Sequence, residues 1–167
     1  MTRKIPDMTE PQRKYVRQMR SPFTFRWFLL SKLPTVLFWG ARIKHLDGGS
    51  CQVMLPYNWR TKNPFRSIYF AALSGAAELA SGALCMFYLQ GPEKYSMLIT
   101  GFDAVFLKKA DQTIIFTCVE GESVGQLIDS FNHPGQTGSL QLHVSARNED
   151  LEEVANFNVS WSFKRKT

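Results

Sequence analysis

One carboxylate in the sequence stands where a charge is energetically disfavoured. Glu78 lies in the run AAELASG, inside the least polar stretch of the chain, residues 69–82, with seven alanines, serines and glycines within four positions. An unpaired buried charge costs several kcal/mol, so Glu78 requires either a partner or a function. It could be a structural carboxylate, held by serines or by backbone groups across a dimer interface. It could instead be a general base or a nucleophile, since burial raises the pKa of a carboxyl group.

A single long helix is predicted to carry Glu78. It extends over about residues 66–89 and is stopped by Gly91 and Pro92, a pair typical of a helix end. Apolar residues lie on every side of this helix, as in a helix at the core of a protein. Small residues such as Ser74 share the face of Glu78, which predicts close packing and could also leave a slender channel beside the carboxylate.

Strand-like alternation occupies most of the remaining chain. Six strands are predicted, at residues 35–43, 51–55, 97–109, 113–120, 138–147 and 155–163, with turns at 47–50 and 111–112. Short helices are predicted at residues 9–20 and 21–33, and residues 122–130 form either a short helix or a wide connection. One sheet must then cover the long helix. The predicted class is therefore α+β, with an antiparallel sheet of about six strands wrapped around one central helix.

The basic character of the chain is concentrated at its N-terminus. Residues 1–44 carry ten Lys and Arg against two acidic residues, whereas the remainder carries ten against twelve. We divide the chain into a basic, aromatic helical extension, residues 1–33, and a main domain, residues 34–167. The aromatic residues from Phe23 to Phe28 are expected to pack on that domain, without stable membrane insertion or a nucleic-acid partner. Contact with a membrane surface or a nucleic acid is the alternative, because basic and aromatic side chains serve both.

Composition disfavours several other classes of protein. The basic start is not followed by an uninterrupted apolar segment, so no signal peptide is predicted. Residues 71–89 are long enough to span a membrane, but they include Glu78, two serines and two glycines. Three cysteines and three histidines are scattered without the spacing of a metal site, so we expect buried thiols and neither a metal nor a cofactor. These features predict a location in the reducing cytoplasm.

The predicted strand order and one local motif resemble the hot-dog fold of the thioesterase superfamily, over roughly residues 34–167. In those enzymes an Asn or Gln in the loop before the central helix precedes an Asp or Glu in that helix by fifteen residues. Asn63 and Glu78 have that separation, and Glu78 lies in AAELASG. The stretch is most similar to a bacterial branch catalogued as a domain of unknown function.

The resemblance implies hydrolysis of an acyl-CoA or another acyl thioester. The site would lie between two protomers, which implies a homodimer or a dimer of dimers. Glu78 would be the base or nucleophile, and Asn63 would orient the water or the carbonyl. The candidate substrate-binding residues are Arg66, Tyr69, Phe70, Ala71 and Ser74. The basic residues that could meet the phosphates of coenzyme A are Arg60, Lys62, Arg66, Lys108 and Lys109.

The sequence departs from the family at the start of the helix. Many members carry His-Gly-Gly six to eight residues after the Asn, where this chain has Tyr69, Phe70 and Ala71. A glycine there allows the thioester carbonyl to approach a backbone N–H group, and Phe70 could block that approach or move the acyl group aside. The alternative function is a protein that binds an acyl chain or lipid without hydrolysing it. A dehydratase is disfavoured, because the helix region contains no histidine.

Overall fold

The computed structural model describes residues 8–167 and has a mixed α and β fold. In chain order, the elements are α1 (Glu10–Arg20), α2 (Pro22–Lys32), α3 (Pro34–Trp39), β1 (Arg42–Leu46), β2 (Cys51–Leu55), α4 (Phe70–Tyr88), β3 (Tyr95–Phe106), β4 (Ile114–Cys118), α5 (Gly121–Asp129), β5 (Thr137–Arg147) and β6 (Glu153–Arg165).

The six strands form one antiparallel sheet around α4. Their order is β1-β2-β4-β5-β6-β3, and each neighbouring pair is antiparallel. The inner face of the sheet contributes the largest fully buried side chains, those of Phe116, Phe157 and Phe163. Helix α4 contacts β2, β4, β5 and β6 and is buried along most of its length. The predicted class, α+β with one sheet wrapped around a central helix, is confirmed.

Glycines on α4 let aromatic rings approach the helix backbone. A Cβ atom at Gly75 would lie 2.6 Å from the ring of Trp39, and one at Gly82 would lie 3.2 Å from the ring of Trp161. Both distances are shorter than ordinary van der Waals contact, so a larger residue at either position would displace the ring. The small residues of this helix therefore serve close packing, as predicted.

The first predicted strand is wrong over residues 35–39, which belong to α3. Pro34 occupies the first turn of this helix, and Gly40 ends it in the left-handed conformation with φ of 81°. Proline at the start and glycine at the end are strong local helix signals, and here they override the alternating pattern. Strand β1 begins only at Arg42.

Two further boundaries differ from the prediction. Helix α4 begins at Phe70, four residues later than expected, because Arg66 takes φ of 59° within a preceding turn. The turn at residues 111–112 does not form a hairpin, since β3 pairs with β6 whereas β4 pairs with β2 and β5. Residues 122–130, for which two interpretations were open, lie largely in helix α5.

The N-terminal helices pack on the sheet and on α4 through only part of their aromatic surface. The capping box of Thr9 and Gln12 is present, and the Tyr15 hydroxyl donates to the carbonyl of Ala83 at 3.3 Å. Phe25 is buried, but Phe23 is 71% exposed, and Trp27, one turn later on α2, is 61% exposed. The expectation that all the aromatics between residues 23 and 28 pack on the domain is therefore wrong in part. The division at residue 33 stays a prediction.

Helix α4 is the candidate membrane span by length and composition, but it occupies the core. About two thirds of its most apolar window (67%) is buried inside the protein. The core helix of a globular protein has the same composition, so no membrane insertion is evident. The thiols of Cys51, Cys85 and Cys118 are free and buried, and burial raises the pKa of each. Within residues 8–167, no three His, Cys, Asp or Glu side chains are grouped to hold a metal ion.

Candidate active site

One face of α4 remains open beside the sheet. Phe70, Ser74, Glu78, Gly82 and Met86 follow one another at intervals of four, so they form one ridge along the helix, which we call the α4 ridge. Phe70 is 57% exposed and Met86 is 36% exposed, whereas Ser74 and Glu78 are half-buried. Gly82 is itself buried beneath Trp161, so Glu78 lies at the inner end of the accessible segment that starts at Phe70.

The Glu78 carboxylate makes no hydrogen bond or ion pair within residues 8–167. The hydroxyl of Ser81 lies within bonding distance of the carbonyl oxygens of Ala77 and Glu78, at 3.3 and 3.2 Å, and not of the carboxylate. Trp161 packs on Gly82 beside the carboxylate and donates its indole N–H to Ser81 Oγ at 3.1 Å. Serines of the same protomer therefore do not hold the charge. Burial without a compensating partner raises the pKa of Glu78.

The raised pKa of Glu78 predicts a pH-dependent gain in stability for Glu78→Gln. Between the unfolded pKa of about 4.3 and the higher folded pKa, the folded protein binds more protons than the unfolded chain. The contribution of Glu78 to stability is therefore most favourable at acidic pH and is lost as the pH rises through this window. We expect the melting temperature of Glu78→Gln minus that of wild type to increase from acidic to neutral pH. Glu149→Gln, at an exposed position, is the control, and a difference for Glu78→Gln that does not vary with pH contradicts the prediction.

Asn63 anchors the turn that leads into α4. Its Oδ1 accepts hydrogen bonds from the backbone N–H groups of Phe65 and Ser67, at 3.0 and 3.2 Å, and from the Ser67 hydroxyl at 3.2 Å. Its Nδ2 donates only a long bond of 3.5 Å to the carbonyl of Ile68. The amide oxygen is thus occupied by the turn, and the amide N–H group is the part that can still meet a ligand.

A cavity of about 450 Å³ lies between this turn and the end of β3. Its lining is mostly apolar and comprises Asn63, Pro64, Phe65, Ser67, Ile68, Tyr69, Phe70, Leu73, Phe106, Lys108, Lys109 and Ala110. Three predicted site residues, Asn63, Tyr69 and Phe70, therefore meet there. Four others, Arg66, Ala71, Ser74 and Glu78, do not line it, and Glu78 lies eight residues beyond Phe70, or about 12 Å along the helix axis.

Two backbone N–H groups at the start of α4 are free to bind an anion. The N–H groups of Ile68 and Tyr69 donate to the carbonyls of Ala110 and Thr61, both at 2.7 Å. Those of Phe70 and Ala71 have no acceptor in the described part of the chain, and no side chain caps the helix. Free N–H groups and the helix dipole together favour negative charge at this point. The pair could therefore stabilise an oxyanion, although the side chain of Phe70 partly screens the approach.

The predicted phosphate-binding cations do not form one group. Lys108 and Lys109 line the cavity, with Lys108 paired to Glu152 at 2.6 Å. Arg60 instead lies against Gly40 on another side of the molecule, in a second cavity.

Sequence reasoning missed Phe106 and Trp161 as neighbours of the site. The alternating sequence pattern of β3 and β6 indicates which residues share one face of the sheet. Which of the two faces lies near the candidate site is known only from the arrangement of the strands.

Comparison with known proteins identifies a family and a fold. The sequence profile of a domain of unknown function, DUF4442, matches residues 23–163. A protein of unknown function from Pseudomonas aeruginosa, described as a probable thioesterase, has a similar structure with a TM-score of 0.71 and 21% identity, over 89% of this chain and 99% of that chain. A thioesterase from Haemophilus influenzae has a TM-score of 0.65 and 14% identity, over 87% and 91% of the two chains. No curated protein sequence matches significantly.

A thioesterase enzyme from Staphylococcus aureus is also similar, with a TM-score of 0.60 and 16% identity over 83% of this chain and 98% of that chain. Its structure is that of a variant in which a glutamine is replaced by alanine, and a second variant replaces a glutamate fifteen positions later. At these identities the likeness concerns the fold. The profile match covers most of the chain and establishes the family, so the protein belongs to the DUF4442 family and has the hot-dog fold found in thioesterases.

Proposed function

We propose that this protein hydrolyses an acyl thioester, with acyl-CoA as the substrate class, at a site shared by two copies of the chain. The observation that carries the proposal is the half-buried Glu78 carboxylate on the open α4 ridge, which has no partner within residues 8–167. Its raised pKa suits a general base near neutral pH. The thioesterases among its structural neighbours support the reaction class, and the glutamine and glutamate varied in the S. aureus enzyme have the spacing of Asn63 and Glu78.

The distance along α4 between Phe70 and Glu78 means that one complete site needs two copies of the chain. A substrate carbonyl bound at the Phe70 N–H group lies about 12 Å along the axis from Glu78 of the same helix, which is too far for direct proton transfer. A second copy that covers the α4 ridge brings its own Glu78 to that carbonyl. Each site then combines the helix start and Asn63 of one protomer with Glu78 of its partner, and the two-fold axis generates two such sites.

Strand β3 supplies the surface for such an assembly. It is twelve residues long, pairs with β6 on one side only, and ends the sheet. Apolar side chains on it are exposed, including Leu98 at 68%, Val105 at 58% and Phe106 at 47%. A long, apolar edge strand pairs readily with another copy. We propose a homodimer, alone or as part of a dimer of dimers, in which this edge is covered.

The reaction assigned to the shared site is a balanced hydrolysis. Glu78 removes a proton from water as the water oxygen bonds to the thioester carbon, and the N–H groups of Phe70 and Ala71 stabilise the oxyanion. The tetrahedral intermediate collapses with cleavage of the C–S bond, and the thiolate takes the proton from Glu78. The N–H group of Asn63 is placed to orient the water or the carbonyl. Direct attack by Glu78, through an anhydride that water then cleaves, is the alternative route.

The cavity at the helix start is suited to the carrier of the acyl group. Its walls are apolar, whereas Lys109 forms no ion pair within residues 8–167 and stands at its edge. The exposed Arg66 lies in the adjoining turn, though outside the lining. The three features fit a pantetheine arm with phosphates at its outer end. We place the protein in the cytoplasm, where acyl-CoA is made and used.

A second candidate function is acyl-chain or lipid binding without hydrolysis. It is favoured by the exposed rings of Tyr69 and Phe70, whose centroids are 5.0 Å apart, because Phe70 stands where many members of the superfamily that the sequence resembles carry glycine. These rings restrict the path of a carbonyl to the free N–H groups. In this case Glu78 would bind a polar head group and would not transfer a proton.

A panel of short, long and aromatic acyl-CoAs with detection of the free thiol tests the proposal. We expect at least one member to be hydrolysed well above the rate without enzyme. Thermal shift with the same panel is the parallel measurement. Ligands that raise the melting temperature without releasing thiol contradict hydrolysis and support the binding protein.

A further inference from the structure

A second cavity lies on the side of the sheet formed by β1, away from β3. It has a volume of about 690 Å³ and is enclosed by α2, α3, β1 and the residue Arg60. Its apolar wall includes Phe25, Leu29 and Leu37. The thioester site described above uses none of these residues, so this cavity requires a separate explanation.

Among residues 8–167, the polar side chains that line this cavity are all cationic. Arg26, Arg42, Lys44 and Arg60 line it, and no acidic residue of the described part of the chain does so. None of the four side chains forms a hydrogen bond or an ion pair within residues 8–167. The Nε atom of Arg60 is buried and has no acceptor there. A buried N–H donor without an acceptor and a cluster of like charges both destabilise the folded protein. An anion bound in the cavity would accept the hydrogen bond and neutralise the positive charge.

Exposed aromatic and aliphatic residues lie at the opening of the cavity and beside it. Leu30 and Phe38 line it and are themselves 55% and 51% exposed, so they mark its rim. On one side, Phe23 and Trp27 continue from Leu30 along α2, with 71% and 61% exposure. On the other, Trp59 is 74% exposed and makes an edge-to-face contact with Phe38 at 5.7 Å. The buried Phe25 and Leu29 hold the opposite side of α2, so Phe23 and Trp27 remain directed outward.

We propose that this face, which we call the α2–α3 face, docks on an anionic bilayer and takes an acidic lipid head group into the cavity. Amphipathic aromatic side chains are typical of the membrane interface, and unpaired cations bind acidic lipids. The apolar wall behind the cations can hold the first part of an acyl chain. Single-stranded nucleic acid would also contact aromatic and basic side chains, but it has no acyl chain to fill the apolar wall of the cavity. The lipid therefore accounts for more of the observations.

Sedimentation with vesicles tests the proposal with the full-length wild-type chain. We expect at least about tenfold stronger partition to vesicles of phosphatidylcholine with phosphatidylglycerol than to phosphatidylcholine alone, and a loss of this preference at high salt. Equal partition to both compositions, or none to either, overturns the proposal. Soluble single-stranded oligonucleotide is added as competitor. Release from vesicles by oligonucleotide at stoichiometric amounts would assign the face to nucleic acid.

Two matched pairs of variants locate the interaction. Arg60→Gln should weaken binding to anionic vesicles by about fivefold, whereas Lys62→Gln, an exposed cation in the same loop but outside the cavity, should weaken it less. Trp27→Ser should weaken it strongly, whereas Phe65→Ser, which changes an aromatic that is 79% exposed but lies outside this face, should not. Equal effects within each pair reject a specific face. A change of oligomeric state in Trp27→Ser, with no change in vesicle binding, would mean that a second copy covers this face.

Discussion

Glu78→Gln is expected to lower the rate of acyl-thioester hydrolysis by about 10²–10⁴-fold, the usual range for a positioned acid–base group. Glutamine keeps the shape of the side chain and its hydrogen-bonding capacity, but it cannot accept a proton from water. The carboxylate has no partner within residues 8–167, so its replacement leaves no other group unpaired there. The measurement is thiol release under saturating acyl-CoA, with circular dichroism to establish that the variant is folded.

Two control variants separate catalysis from packing in this experiment. Met86→Leu, two turns later on the α4 ridge, should retain most of the activity, because the change conserves the volume of an apolar side chain that has no assigned role in the site. Asn63→Ala should reduce turnover less than Glu78→Gln, since water and backbone donors can partly substitute for the amide. It should also lower the melting temperature, because Oδ1 of Asn63 accepts three hydrogen bonds within the turn. Full activity in Glu78→Gln would remove the carboxylate from the mechanism.

The core of the fold was predictable because periodic burial leaves a strong sequence pattern. Helix α4 is apolar on all sides, and β6 alternates regularly between buried and less buried positions. Such patterns identify elements without reference to their neighbours. The prediction was wrong at residues 35–39, where the alternation was accidental and Pro34 and Gly40 determine a short helix. A pattern of five residues fits both periods, and the capping signals then decide.

The candidate site was only partly predictable, for a different physical reason. The separation of Asn63 and Glu78 is a property of the chain, but their separation in space depends on the turn at residues 63–69 and on the length of α4. Arg60 illustrates the same limit. It was grouped with Lys62 by proximity in sequence, yet it lies against Gly40 in the second cavity. Side chains two positions apart in a loop can face opposite parts of the molecule.

Two inactive variants are expected to restore activity when they are combined in one dimer. The first is Glu78→Gln. The second is Phe70→Pro, which removes the N–H donor at the first position of α4 and should lower turnover by about 10²–10³-fold, as for one lost oxyanion donor. Proline is tolerated at this position, and the extended backbone of Tyr69, with φ of −63° and ψ of 133°, is compatible with a following proline. Phe70→Ala is the matched control, because it removes the ring and keeps the N–H group.

The mixed dimer distinguishes a shared site from a site within one chain. Co-expression with two affinity tags isolates dimers that contain one chain of each variant, and light scattering should give about twice the chain mass of 19.1 kDa. If Glu78 acts on a carbonyl bound at the start of the partner's α4, one of the two sites contains both substitutions and the other contains neither. Activity should then return to about half that of wild type. If both groups belong to one chain, each site keeps one lesion and the mixed dimer stays inactive, as the separate variants are.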